Sequence, residues 1–187
     1  MAPFSPCLLY TSSGVYVADI VFDRAEAFAE EMSKKHSIQM TAVAMDALKP
    51  CCQKADIIIT ATVSADPILD ADWLNPGVLY IQIGGYEATY DAVLKADKRV
   101  CDEWVHVLHR NATTIAYMHH DGVIDDSGIY ADLGEICNGK KPGRETDEEI
   151  IYYNPVGMGN EDIAIATRLY RKAKAENVGL WLNYWYD

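Results

Sequence analysis

The apolar positions of this chain fall into short blocks, and two of them are continuous. Ile57-Ile58-Ile59 runs into Thr60-Ala61-Thr62-Val63-Ser64, and Val78-Leu79-Tyr80-Ile81 runs through Gln82-Ile83 into Gly84-Gly85. Continuous apolar runs that stop in small polar residues and glycines read as strands buried on both faces of a parallel sheet. In open α/β sheets, ligands lie outside the carboxyl ends of such strands. Hydroxyls and bare backbone at two neighbouring strand ends therefore point to a nucleotide crevice.

The remaining blocks alternate strand and helix. Val15 to Asp19 reads as a strand ending in an acid. Arg24 to Lys35 follows as a helix with Phe28 and Met32 on one face, and Ile38 to Ala44 as a second strand. Asp46 opens a short helix through Lys54, with Pro50 requiring an early position or a break. After the two signature strands come a helix over Ala88 to Ala96, a strand over Arg99 to Trp104 and one long helix from Val105 to His120. Ile129 to Asn138 reads as a helix, Ile150 to Tyr153 as a strand, and Asn160 to Glu176 as a helix. In that last helix Ile163, Ile165, Ala166, Leu169, Tyr170 and Ala173 are expected to face inward. The expected fold class is α/β: a parallel sheet with helices on both faces.

Composition narrows the class. Sixteen basic against 28 acidic residues give a net charge of −12, which argues against nucleic acid or an anionic membrane as partner. Half the residues are hydrophobic, yet no apolar run reaches the ~18 residues of a membrane span. Five cysteines without a disulfide-like framework suit a reducing, cytoplasmic setting. The vicinal pair Cys51-Cys52 reads as part of a buried helix face rather than a redox couple. The tail, with Trp181, Tyr184, Trp185 and Tyr186, is too aromatic to stay in water and is expected to meet another domain or subunit. Residues 1–14 lack the basic and apolar regions of a signal peptide and match no element, so they are expected to be a leader foreign to the fold.

The series Ala55-Asp56-Ile57-Ile58-Ile59-Thr60-Ala61-Thr62, Ile83-Gly84-Gly85, Leu133-Gly134-Glu135, Gly143-Arg144 and Val156-Gly157-Met158-Gly159-Asn160-Glu161-Asp162 resembles the ornithine cyclodeaminase/mu-crystallin family. The resemblance runs from about Val15 to the C-terminus. It implies homodimers with a substrate and dimerisation domain, and a Rossmann domain binding NAD, with NADP as the alternative. On this pattern residues 15–160 form a partial Rossmann domain, and residues 161–187 return to the dimerisation domain. No G-x-G-x-x-G occurs, since Gly157-Met158-Gly159 is followed by Asn160-Glu161-Asp162. The chain is therefore expected to be a fragment that binds NAD weakly or not at all and is inactive alone.

Site residues follow from the resemblance, each beside a plainer reading. Asp19 stands where this fold places an acid on the adenosine ribose, or else caps a helix. Thr62 and Ser64 border the cofactor, or else bond their own turn. Ile83, Gly84 and Gly85 let backbone lie against a nicotinamide, or else form a tight turn. Tyr86 takes the place of a catalytic Asp in the cyclodeaminases, which favours simple hydride transfer over cyclodeamination. Pro155 and Val156 fall where the family approaches nicotinamide and substrate. Glu161-Asp162 opens the last helix, where acids complement the dipole. Arg144 reads as a partner for a carboxylate. His106 and His109, near Cys101 and Asp102, and His119-His120 read as helix-end charges rather than a metal site, so no metal is expected.

The implied activity is NAD(P)-dependent dehydrogenation, imine reduction or cyclodeamination of an amino acid or its imine, by an oxidoreductase or lyase. The competing class is a non-catalytic nucleotide or small-molecule binding protein of crystallin type, which the Tyr86 departure favours.

Overall fold

The computed structural model describes residues 12–180 and 182. The rings at 181 and 184–186, and all but the last three residues of the 1–14 leader, lie outside the described residues.

Among the described residues all strand pairing is parallel. A two-stranded sheet joins β1 (Val15–Val17) to β2 (Met40–Ala42), linked by helix α1 (Phe22–His36). A five-stranded sheet has the order β3 (Ile57–Thr60), β4 (Leu79–Gln82), β7 (Ile151–Asn154), β5 (Lys98–Cys101), β6 (Ala131–Asp132). The expected fold class stands, with its parallel strands in two sheets. Helix α2 (Leu48–Cys52) leads from the smaller sheet to the larger, whose crossovers include helices α3 (Tyr90–Lys95), α4 (Trp104–Arg110), α5 (Thr114–His120) and α6 (Leu133–Cys137). Helix α7 (Gly159–Glu176) follows β7.

The core lies on one face of the larger sheet. Register sets Ile58, Tyr80 and Tyr152 in one row across β3, β4 and β7. All three are buried, and the two tyrosine rings meet tilted at 5.6 Å. Val93 of α3, Ile115 and Met118 of α5, and Leu74 and Val78 close over them, all fully buried.

Four expectations are corrected. The single helix over 105–120 is two. Asn111 takes left-handed geometry (φ 42°) and bonds back to the Val107 carbonyl, which ends α4, and α5 restarts after Thr113. The strand expected to reach Trp104 stops at Cys101, because the Trp104 amide donates to Asp132 and opens α4. Residues 131–132 form an edge strand before α6, whose capping box pairs Asp132 with Glu135. Helix α7 buries nothing: Ile163 is 68% and Leu169 63% exposed, so the face expected to turn inward is largely open among the described residues. Pro50 is accommodated as the third residue of α2, where its missing N–H costs little.

Candidate nucleotide crevice at the strand ends

The Thr60↔Gln82 register of β3 and β4 brings the loops after both strands side by side at the carboxyl end of the sheet. Glu87 joins them. Its side chain is fully buried, and both carboxylate oxygens accept hydrogen bonds. Oε1 takes the Thr62 amide at 2.5 Å, and Oε2 takes the Gly84 amide and the Thr60 hydroxyl, each at 2.7 Å. Because the Thr60 hydroxyl donates to Glu87, the Tyr80 phenol at 3.0 Å donates to Thr60. Burial holds the Tyr80 phenol protonated, well above its ordinary range.

The two glycines answer to this packing. A Cβ on Gly84 would lie 2.5 Å from the Thr62 carbonyl and 2.6 Å from Glu87 Oε1. A Cβ on Gly85 would lie 2.6 Å from the Ala112 carbonyl. The Gly85 carbonyl accepts from the Thr114 amide at 2.9 Å and from buried Gln82 Nε2 at 2.7 Å. The loop after β4 is thus wedged between the loop after β3 and the start of α5.

A second buried carboxylate repeats the device at the next strand. Asp102, after β5, accepts the amides of Val156 at 2.7 Å and Gly157 at 2.8 Å, and the Tyr153 hydroxyl at 2.5 Å. Pro155 and Val156 are thereby fixed at the end of β7. Asn154, the last residue of β7, is fully buried and donates to the Gln82 carbonyl at 2.8 Å. Its Oδ1 has no partner among the described residues.

The other candidates behave locally. Thr62 Oγ1 accepts the Ser64 amide, and the Ser64 hydroxyl donates to the Asp66 carbonyl at 2.6 Å. Asp19 follows β1 and accepts the Val21 amide at 2.8 Å just ahead of α1. Val63 is fully exposed and Ile83 half exposed, so both loops present apolar surface beyond the strand ends. Tyr86 sits edge-on to Tyr117 of α5 at 5.6 Å. Nearby, Tyr90 donates to Asp121 at 2.7 Å. Burial first, and then that carboxylate, push the Tyr90 phenol up to about 12.

His106 and His109 line an open cavity of about 480 Å³ with Arg110 and residues 156–160. His106 pairs with Glu103 at 3.0 Å, His119 with Asp126 at 3.3 Å, and His120 with Asp121 at 3.3 Å. Arg144 donates to the Glu149 backbone carbonyl, so the partner expected to be a carboxylate is a main-chain oxygen. Glu161 and Asp162 sit in the first turn of α7. Glu87 and Asp102 were missed as site residues. A Glu directly after Gly84-Gly85-Tyr86, at a strand's carboxyl end, was the signal available for the first.

The profile of the ornithine cyclodeaminase/mu-crystallin family matches residues 11–177. The chain belongs to the ornithine cyclodeaminase/mu-crystallin family. Among relatives of this family, N-((2S)-2-amino-2-carboxyethyl)-L-glutamate dehydrogenase of Staphylococcus aureus is 31% identical over 90% of this chain and 50% of its own length. Alanine dehydrogenase of Archaeoglobus fulgidus is 29% identical over 85% of this chain and 52% of its own. Among solved family structures, Thermococcus litoralis Delta(1)-pyrroline-2-carboxylate reductase, in complex with NADH and L-proline, superposes with a TM-score of 0.83. It is 34% identical and covers 91% of this chain and 53% of that one. An archaeal alanine dehydrogenase dimer with bound NAD gives 0.78 at 27% identity, over 94% and 54%. The chain spans about half the length of these relatives. Their architecture is the Rossmann-type parallel sheet with flanking helices.

Proposed function

We propose that this chain forms the dinucleotide-binding part of an NAD(P)-dependent oxidoreductase acting on an amino acid or its imine. The observation that carries the proposal is the pair of strand-end loops at Thr62 and Gly84, joined through Glu87, in a chain whose family relatives are amino-acid dehydrogenases and cyclic-imine reductases. Bound there, a nicotinamide dinucleotide supplies hydride chemistry. Thr62, Ser64, Ile83, Gly84, Gly85 and Pro155 border it with backbone and apolar surface, and Asp19 takes the adenosine ribose. A carboxylate at that position repels a 2′-phosphate, so NAD is the expected cofactor rather than NADP. Val156, held by Asp102, faces the substrate side. Tyr86 is the donor nearest the family's acid position; a phenol is a poor base at neutral pH but a usable donor to an imine nitrogen. Hydride transfer therefore fits the residues better than cyclodeamination.

The residues present fit such a cofactor at its ribose and nicotinamide ends, and no G-x-G-x-x-G in the 187 residues supplies the usual pyrophosphate cradle. Little activity is expected of the chain alone. In the working protein, residues 15–160 would form the nucleotide domain and residues 161–187 would reach towards a dimerisation domain, in a homodimer. The exposed apolar face of α7 supports that role. Free thiols at Cys51, Cys52, Cys101 and Cys137 suit a cytoplasmic setting. Among the described residues no helix is long and apolar enough to cross a membrane.

One observation favours a second reading. The Tyr86 ring packs against Tyr117, an arrangement that also suits a crystallin-like protein binding nucleotide without turnover. The test is NAD(H)-linked turnover by the protein expressed from its complete reading frame, with alanine, ornithine, lysine and cyclic imines as substrates. Imine-dependent NADH oxidation is the expected result. Nucleotide binding with no turnover on the whole panel would favour the second reading, and cyclodeamination without net NADH change would overturn the hydride-transfer assignment.

A further inference from the structure

We infer that Glu87 is a positioning residue that sets the separation of the two crevice loops. The inference rests on reading the crevice as a dinucleotide site and assigns a role to a side chain that need not touch the ligand.

Glu87 is fully buried, and all three of its bonds are accepted ones. An acceptor-only role is that of an ionised carboxylate, and bonds to an ionised acceptor are about twice as strong as neutral ones. The partners are two main-chain amides on different loops, Thr62 after β3 and Gly84 after β4. Neither loop is tied to the other there by the sheet ladder, whose Thr60↔Gln82 pair lies two residues earlier. The Ile83 amide extends it by one bond, to the Thr60 carbonyl at 2.8 Å. Beyond that point the carboxylate ties the loops until main-chain pairing resumes at the Leu69↔Ala88 bridge. Its own backbone, in the loop after β4, is fixed where the two loops meet again, since the Glu87 carbonyl accepts the Ile68 amide at 2.8 Å and the Leu69 amide at 3.0 Å from the loop after β3. Glu87 therefore bridges two loops from a fixed base. The Thr60 hydroxyl, itself held by Tyr80, orients Oε2.

The geometry leaves little slack, because the space beside Gly84 is already taken by the Thr62 carbonyl and Glu87 Oε1. If the clasp opens, the loops that carry exposed Val63 and half-exposed Ile83 are free to separate. Glutamine keeps the shape of glutamate but turns one acceptor into a donor, which then faces an amide or a hydroxyl.

The experiment uses Glu87→Gln, Glu87→Asp and Thr60→Val in the protein expressed from its complete reading frame. It reads residue-resolved amide exchange together with NADH affinity. Wild type should protect the amides of Thr62 and Gly84. Glu87→Gln should speed exchange of at least one of them about tenfold or more, with the Tyr152 amide at the sheet centre unchanged. NADH affinity should fall roughly tenfold, as expected for loss of one charge-assisted bond. Thr60→Val, which removes only the orienting bond, should keep both amides protected. If Glu87→Gln disturbs the Tyr152 amide as well, Glu87→Asp decides: its shorter side chain should leave one of the two amides protected and the other not. Unchanged exchange at both loops in Glu87→Gln overturns the clasp. Faster exchange with wild-type NADH affinity overturns the positioning role and leaves a merely structural one. Failure of wild type itself to bind NADH counts against the functional reading, and amide exchange still judges the clasp.

Discussion

The Thr62 carbonyl oxygen lies 2.5 Å from where a Cβ on Gly84 would stand. Two loops that follow neighbouring parallel strands are thus in contact at their backbones, and glycine at 84 is a packing requirement whatever ligand lies outside. Gly84→Ala should destabilise the fold by about 1–3 kcal/mol through overpacking. Gly85→Ala, which meets the Ala112 carbonyl, should do the same. Denaturant unfolding of the two variants checks both, and a wild-type midpoint for either would show that the loops have room.

Asp102 offers the matching test at the end of β7. Asp102→Asn turns one acceptor oxygen into a donor facing the Tyr153 hydroxyl or the Val156 and Gly157 amides. At least one buried group then loses its partner, at a cost of about 1–3 kcal/mol. Equilibrium unfolding measures that loss, and amide exchange at 156 and 157 should rise with it.

The thiols should separate by burial. Burial, helped by neighbouring Cys51, pushes the Cys52 thiol up to about 11. Burial, with Asp132 and Asp102 nearby, pushes Cys101 up to about 12. Both should resist alkylation at neutral pH in the native protein and react once it is unfolded, because the thiolate is the nucleophile. Exposed Cys137 should react first. Rapid native modification of Cys52 would reopen the reading of Cys51-Cys52 as a redox pair.

Stability at the pH extremes should report the loop over residues 143–149. Lys98 Nζ meets the Gly143 carbonyl at 2.7 Å, Glu145 at 2.6 Å and Glu149 at 3.0 Å. Burial pulls the Lys98 ammonium down, but Glu145 and Glu149 outweigh it and hold it above its ordinary value of 10.5. Its contribution is therefore complete below that value and lost as pH rises through the higher folded one. Glu149 is held below its ordinary 4.5 by the Glu145 amide and then by Lys98. Its contribution is present above 4.5 and lost as pH falls through the lower folded value. Lys98→Met should flatten both limbs of a pH–stability profile, and unchanged limbs would place the loop's stability elsewhere.

Sequence patterning reached the two adjacent strand ends because its signals are local. Ile57 to Ile59 and Val78 to Ile81 are apolar on every residue, and the small residues after them mark where pairing stops. Glu87 was missed because only closure of the loop after β4 buries it, and its one signal, its place directly after Gly84-Gly85-Tyr86, is positional rather than periodic. The break at Asn111 hides inside a helical pattern, since Asn ends a helix only when it takes left-handed geometry. Helix α7 misled for the opposite reason. Its apolar spacing is real, but spacing says that a face is to be covered and not what covers it.

The most direct test of the account is an equilibrium titration of NADH and NADPH against the protein expressed from its complete reading frame, with and without Asp19→Ala. The account predicts that NADH binds more tightly than NADPH, and that the substitution weakens NADH more than NADPH. Binding of neither nucleotide, or a preference for NADPH that Asp19→Ala leaves untouched, would contradict it.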